Sequence, residues 1–199
     1  MTNYLPFGVV SRRHFVALLM LVATGATAAT LADANLPTDS IYQLDIGLQD
    51  QAGRSFRLAE LRGTIYVVSM FYSSCQYACP TTIETIKQTL AQLPEDQRGH
   101  ARALIVSFDP KRDSIQVLDR VAREHDLDPL VWTLARTDET SARKLAALLG
   151  VQYRALPDGD FNHNTRLLLI DREGRIAGQT DLIGRLEPTF VERLRTLTP

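Results

Sequence analysis

Only two of the 199 residues are cysteine, Cys75 and Cys79, and they stand four apart. Two thiols are too few for a disulfide-built scaffold, and their clustering suggests a site more than a framework. Charge of one sign is lacking as well. The formal net charge is −1, with no basic stripe of the kind nucleic acid demands, so no nucleic-acid partner is expected. There is no internal repeat, no low-complexity tract and no linker to a second domain. A clear membrane span is also missing: about 20 predominantly apolar residues are needed, whereas the stretch from Phe15 to Leu31 has 17, several of them Thr or Gly. Apolar residues as a whole are plentiful. They make up 45% of the chain, enough for a full core without disulfide help.

The N-terminus, MTNYLPFGVVSRRHFVALLMLVATGATAATLADANLP, has Arg12 and Arg13 ahead of a short apolar run, Phe15 to Val22, that fades into Ala and Thr. These are the parts of an export signal, with candidate cleavage points after Ala28 or Ala34. A buried core helix fits poorly, because no acidic residue precedes Asp33. SRRHF resembles a twin-arginine signal, but Ala17 stands where a lysine often follows, and an ordinary signal with adjacent arginines stays open. Residues 1–34 are thus expected to be an export signal or a marginal membrane anchor, and residues 40–199 a single domain. The expected compartment is a bacterial periplasm, which permits disulfides. Any membrane tether would run through the N-terminus, and a monomer is expected.

The domain reads as alternating strands and helices. IYQLDIGL alternates like a half-buried strand, and DQAG turns it into RSFRL, which predicts an N-terminal hairpin. TIYVVSMFY (64–72) is a near-continuous apolar run rich in β-branched and aromatic residues, a central strand buried on both faces. In PTTIETIKQTLAQL, Ile83, Ile86, Leu90 and Leu93 recur at helical spacing, and Pro80 suits the first helical position. ARALIVSF (101–108) is a second buried strand. Asp113 and Gln116 read as a cap for a helix running toward Glu124. LVWTLA is a third strand, and Asp138 caps the helix ETSARKLAALL, which Gly150 ends. TRLLLID and RIAGQT flank REG as a closing hairpin. A last helix, about Glu187 to Leu197, carries Phe190, Val191, Leu194 and Leu197 on one face. The pattern is α/β, a central mixed sheet flanked by helices. A cysteine motif between the first long buried strand and its helix is the thioredoxin-like arrangement.

If that helix begins near Cys75, residues i and i+4 face one side with Cβ atoms about 5–6 Å apart. Cys75 and Cys79 can then cycle between dithiol and disulfide, or converge as thiolates on one soft ion such as Cu(I) or Zn. A helix N-terminus favours the thiolate in both cases. Two sulfurs need a third ligand. His14 is in the leader, His100 is in a polar turn and His125 reads as a solvated group at a helix end. His163, in DGDFNHNTRLLLI, lies just before a buried strand, where thioredoxin-fold oxidoreductases place a cis-proline against the cysteines. Met70 and Trp132 read as core. Tyr72 and Tyr77 read as a docking rim. Asp109 and Asp113 lie at the strand-end edge where α/β proteins bind ligands.

YSSCQYACPTT, SFDPKRDS (107–114) and FNHNTRLLLIDREGRI, in that order, resemble the Sco/SenC family of copper-delivery proteins over about Ser40 to Thr180. The resemblance implies a thioredoxin-like copper-binding domain, with Cys75, Cys79 and His163 as ligands of Cu(I) or Cu(II). It also implies a copper-receiving cuproenzyme as partner, the binuclear copper centre of cytochrome c oxidase or a related enzyme. Gln76 and Tyr77 depart from the family's usual proline and acidic residue. No ligand is lost, but the surface at the site turns from acidic to aromatic. A competing reading is a dedicated thiol–disulfide reductase keeping a partner's copper-site cysteines reduced. Cys75 and Cys79 would then be the working pair, and under the chaperone reading there is no catalytic residue. A redox or copper sensor is not separable from the first reading, and a peroxidase pattern is absent.

Overall fold

The computed structural model describes residues 1–2, 36–75 and 78–199, and of Ala78 and Cys79 the backbone alone. The expected export signal lies, but for its first two residues, outside the described residues. So do Gln76 and Tyr77. Among the described residues no helix is long and apolar enough to cross a membrane.

The strands are β1 (Gly47–Asp50), β2 (Ser55–Arg57), β3 (Ile65–Phe71), β4 (Ala101–Ser107), β5 (Trp132–Arg136), β6 (Tyr153–Ala155), β7 (Phe161–His163), β8 (Leu167–Ile170) and β9 (Ile176–Thr180). The helices are α1 (Ala78–Ala91), α2 (Ile115–Glu124), α3 (Glu139–Leu149) and α4 (Pro188–Leu197). Seven strands form one sheet in the order β2-β1-β5-β4-β3-β8-β9, and β6 and β7 pair apart from it. β3, β4 and β5 run parallel, while β1, β8 and β9 pair antiparallel with their neighbours, so the sheet is mixed as expected.

Every residue of β3 is buried, which requires cover on both faces. The apolar faces of the helices supply it, through Ile83 and Ile86 of α1, Leu118 of α2, Leu145 and Leu149 of α3, and Phe190 and Leu194 of α4. Met70 and Trp132 belong to this core.

The N-terminal hairpin forms as β1 and β2, but its first half does not. Ile41–Gln43 is a 3₁₀ turn, because the Ser40 hydroxyl accepts from Tyr42 N at 3.2 Å while Ile41 N donates to Gly174 O at 2.9 Å. Those bonds compete with a strand ladder. The α3 caps are where the sequence puts them: Asp138 accepts from Ser141 N, and Gly150 takes φ 67°, a left-handed position that favours glycine. For α2 the expected cap is wrong. Ser114 is the N-cap, accepting from Val117 N at 3.3 Å, and Asp113 is buried one residue earlier with other partners. Ser114→Ala should therefore cost about 1 kcal/mol of stability. Urea unfolding checks this, and an unchanged midpoint would take the cap's contribution away.

Candidate metal centre

The site is built at the C-terminal ends of the parallel strands, the edge where α/β proteins place ligands. β3 runs out at Phe71, and Tyr72-Ser73-Ser74-Cys75 turns away from the sheet, with Cys75 N donating to Tyr72 O at 3.3 Å. α1 starts at Ala78, so Cys75 stands on the loop and not on the helix. The expectation of a helix from Cys75 is corrected to that extent. Cys79 lies in the first turn of α1, which also accommodates Pro80. Its side chain lies outside the described residues.

The antiparallel pairing of β8 with β3, Val68 opposite Leu168 and Tyr66 opposite Ile170, brings the start of β8 beside the end of β3. Ser69 Oγ donates to Arg166 O at 2.9 Å across this pairing. The chain just upstream of β8 is thereby delivered to the cysteine loop. That chain is the β6–β7 hairpin, with His163 opposite Tyr153. His163, which the sequence placed just before a buried strand, thus ends a short strand of its own. The signal for it was Pro157-Asp158-Gly159, a turn sequence flanked by Tyr153 and Phe161, and Gly159 takes φ 86° there.

Five rings pack where hairpin and loop meet. Tyr72 lies 5.5 Å from the His163 ring, centroid to centroid and edge-on; Phe108 lies 5.4 Å from it. Phe108 stacks on Tyr153 at 4.5 Å, and Phe161 closes on Tyr72 at 5.1 Å. Tyr72 is 2% exposed. It is a wall of the site and not the docking rim expected of it. Its hydroxyl donates to the Asp160 carboxylate and also contacts the Cys75 thiol. Burial first, and these two partners next, hold the phenol well above its usual pKa. Asp160 is held below the usual carboxylate range, chiefly by the Tyr72 bond.

His163 Nδ1 lies 2.9 Å from the Asn164 carbonyl oxygen. A carbonyl can only accept, so Nδ1 carries a proton, and in the neutral ring the lone pair available to a ligand is then on Nε2. The ring and Cys75 are each partly exposed. A soft thiolate and a neutral imidazole therefore share one neighbour, Tyr72, and both remain reachable, a donor set suited to copper or zinc.

Asp113 reads from the sequence as a helix cap or as a group at the ligand-binding edge, and the structure keeps the second reading. It is fully buried and accepts from Ser73 N at 3.2 Å, from Ser73 Oγ and from Ser107 Oγ. It thus ties the cysteine loop to the end of β4. Burial pushes its carboxyl up, against the downward pull of the two serines. Asp109 is buried and pairs with Arg112, whose guanidinium also reaches the Gly159 carbonyl and lies 5.2 Å over the Phe161 ring. His125 ends α2 and lines a cavity of about 410 Å³ beside Cys75, with Ser74, Pro80 and Glu124. His100 is exposed at the end of a 3₁₀ turn, as expected.

A mixed sheet with a cysteine loop and helix after its central strand, and a histidine hairpin folded against that loop, defines a thioredoxin-like domain with a thiol–imidazole site. The chain belongs to the SCO1/SenC family, whose model matches residues 37–197. Among curated proteins it is 24% identical over 174 residues to one from Stutzerimonas stutzeri provisionally described as copper-binding, covering 80% of this chain and 84% of that one. It spans between about half and two thirds of the mitochondrial SCO2 proteins of yeast, cattle and human that it also matches. Among solved structures, copper-bound ScoI of Bradyrhizobium japonicum superposes with a TM-score of 0.65 at 22% identity, covering 77% of this chain and 98% of that one. BsSco, described as a cytochrome c oxidase assembly protein with a disulfide switch, gives 0.65 at 17%, covering 82% and 98%. At these identities the structural likeness concerns the fold.

Proposed function

We propose that this domain binds one copper ion through Cys75, Cys79 and His163 and delivers it, outside the cytoplasm, to a cuproenzyme. The favoured recipient is the binuclear copper centre of cytochrome c oxidase or a related respiratory enzyme. The observation that carries the reading is that Cys75 and His163 share the neighbour Tyr72, the thiol at its hydroxyl and the imidazole against its ring, with His163 Nδ1 directed to a carbonyl so that Nε2 is the nitrogen open to a ligand. Thiolates hold Cu(I), and the imidazole lets the same site accept Cu(II). Three ligands at a partly exposed site suit a carrier that must release its ion. The export signal over 1–34 would place the protein, as a monomer, in the periplasm or on its membrane.

Titrating the reduced protein with Cu(I) and Cu(II) tests this. His163→Ala should weaken Cu(II) binding beyond the roughly 10–100-fold typical of losing a partner of a metal ligand. The domain should stay folded, because the ring is only partly buried. An unchanged copper spectrum and affinity would remove His163 from the site.

A second reading, a dedicated reductase of a partner's copper-site disulfide, is favoured by the cavity that opens onto Cys75. It requires multiple turnovers without copper, and equal rates in wild type and His163→Ala.

A further inference from the structure

The β6–β7 hairpin is two strands of three residues, outside the main sheet. A two-stranded hairpin is marginal in water by itself, so the position of His163 depends on what holds the hairpin down. Its base is held by Asn164, whose side chain accepts from Gln152 N at 2.7 Å and donates to Gly150 O at 3.1 Å. Besides the packing of Phe161, its tip is held by Arg112 donating to Gly159 O and by Tyr72 donating to Asp160. The Tyr72 hydroxyl also interacts with the Cys75 thiol. A phenol has one proton. With that proton given to Asp160, the oxygen can still accept from the Cys75 S–H.

On the copper-binding reading above, we propose that the Tyr72 hydroxyl and Asp160 form a latch that fixes the His163 hairpin to the Cys75 loop and so decides whether the imidazole is in place as a ligand. Tyr72 is a positioning residue in this scheme. The aromatic ring packs on Phe161 and His163, and the hydroxyl adds a directed hydrogen bond from the Cys75-bearing segment to the hairpin. Since the two thiolates dominate Cu(I) binding and the imidazole matters most for Cu(II), the latch tunes the balance between the two oxidation states.

Tyr72→Phe keeps the ring and removes that bond, and Asp160→Ala removes the acceptor. Both variants, His163→Ala and the Tyr72→Phe/His163→Ala double variant are titrated with Cu(II), and with Cu(I) under reduction, against a competing chelator. Amide exchange over residues 153–163 is followed in the copper-free proteins. Tyr72→Phe and Asp160→Ala should each lower Cu(II) affinity roughly 10–100-fold with little change for Cu(I). The double variant should bind Cu(II) no more weakly than His163→Ala alone, since both changes act through one imidazole. Exchange should quicken in β6 and β7 and stay unchanged in β3 and β4. Wild-type Cu(II) affinity and exchange in Tyr72→Phe would overturn the latch. So would a loss that adds in full to that of His163→Ala. If the wild type takes up no copper, the copper reading falls, and unchanged exchange in Tyr72→Phe overturns the latch independently.

Discussion

Cys75→Ser and Cys79→Ser should each abolish tight copper binding. A serine hydroxyl is a hard donor that stays protonated at neutral pH, so either change leaves one thiolate and one imidazole for a soft ion. A structural zinc site is worth roughly 10–16 kcal/mol; shared over four ligands this is about 2.5–4 kcal/mol each, on the order of a hundredfold or more in affinity. Both substitutions are close in size to cysteine, and Cys75 is partly exposed, so the thermal transition should change little. Competition with a Cu(I) chelator reads the effect. Wild-type affinity in either variant would strike that thiol from the ligand set. Oxidising the wild-type pair should have the same effect as the substitutions and be reversed by reductant, since a disulfide offers no thiolate.

The largest expected loss of stability lies at Asp113. Asp113→Ala leaves Ser73 N without its acceptor and forces the hydroxyls of Ser73 and Ser107 to find new partners in a buried setting. A stranded buried donor costs about 1–3 kcal/mol. Relief of the buried carboxylate offsets part of the total, and a net loss of about 2–4 kcal/mol is expected. The sign of the pH dependence is fixed by the direction of the shift. The folded-state pKa of Asp113 is raised above its unfolded value, so its contribution to stability is fully present below the unfolded pKa and declines as pH rises through the folded one. The stability gap between wild type and Asp113→Ala should accordingly narrow as pH rises across that window. Urea unfolding at several pH values measures it, and a pH-independent gap would mean that Asp113 is ionised as easily folded as unfolded.

Much of the fold is legible in the sequence because β3 and β4 are continuous apolar runs and α3 carries both its caps as local residue types, Asp138 and Gly150. The ends of the site are less legible for physical reasons. β6 and β7 are too short to show periodicity, and their pairing depends on a turn and on rings contributed from residues 72 and 108. Asp113 has the residue type and position of a helix cap, and only tertiary structure shows that its partners are Ser73 and Ser107 while Ser114 does the capping. Tyr72 looks like a surface aromatic until Phe108, Phe161 and His163 are packed around it. The candidate ligands themselves are legible because Cys and His are rare here, and rarity narrows the choice.

The antiparallel insertion of β8 beside β3 also sets the order in which the site can come into being. A chain emerging from synthesis presents both cysteines long before the histidine hairpin exists, and domains tend to fold from the N-terminal side as they appear. Pairing β8 with β3 closes a loop of about a hundred residues, the kind of non-local step that is slow to form. Until it closes, the dithiol lacks the His163 imidazole. On the proposed ligand set, copper met at that stage would be held without His163, and completing the centre would report that nearly the whole domain has folded.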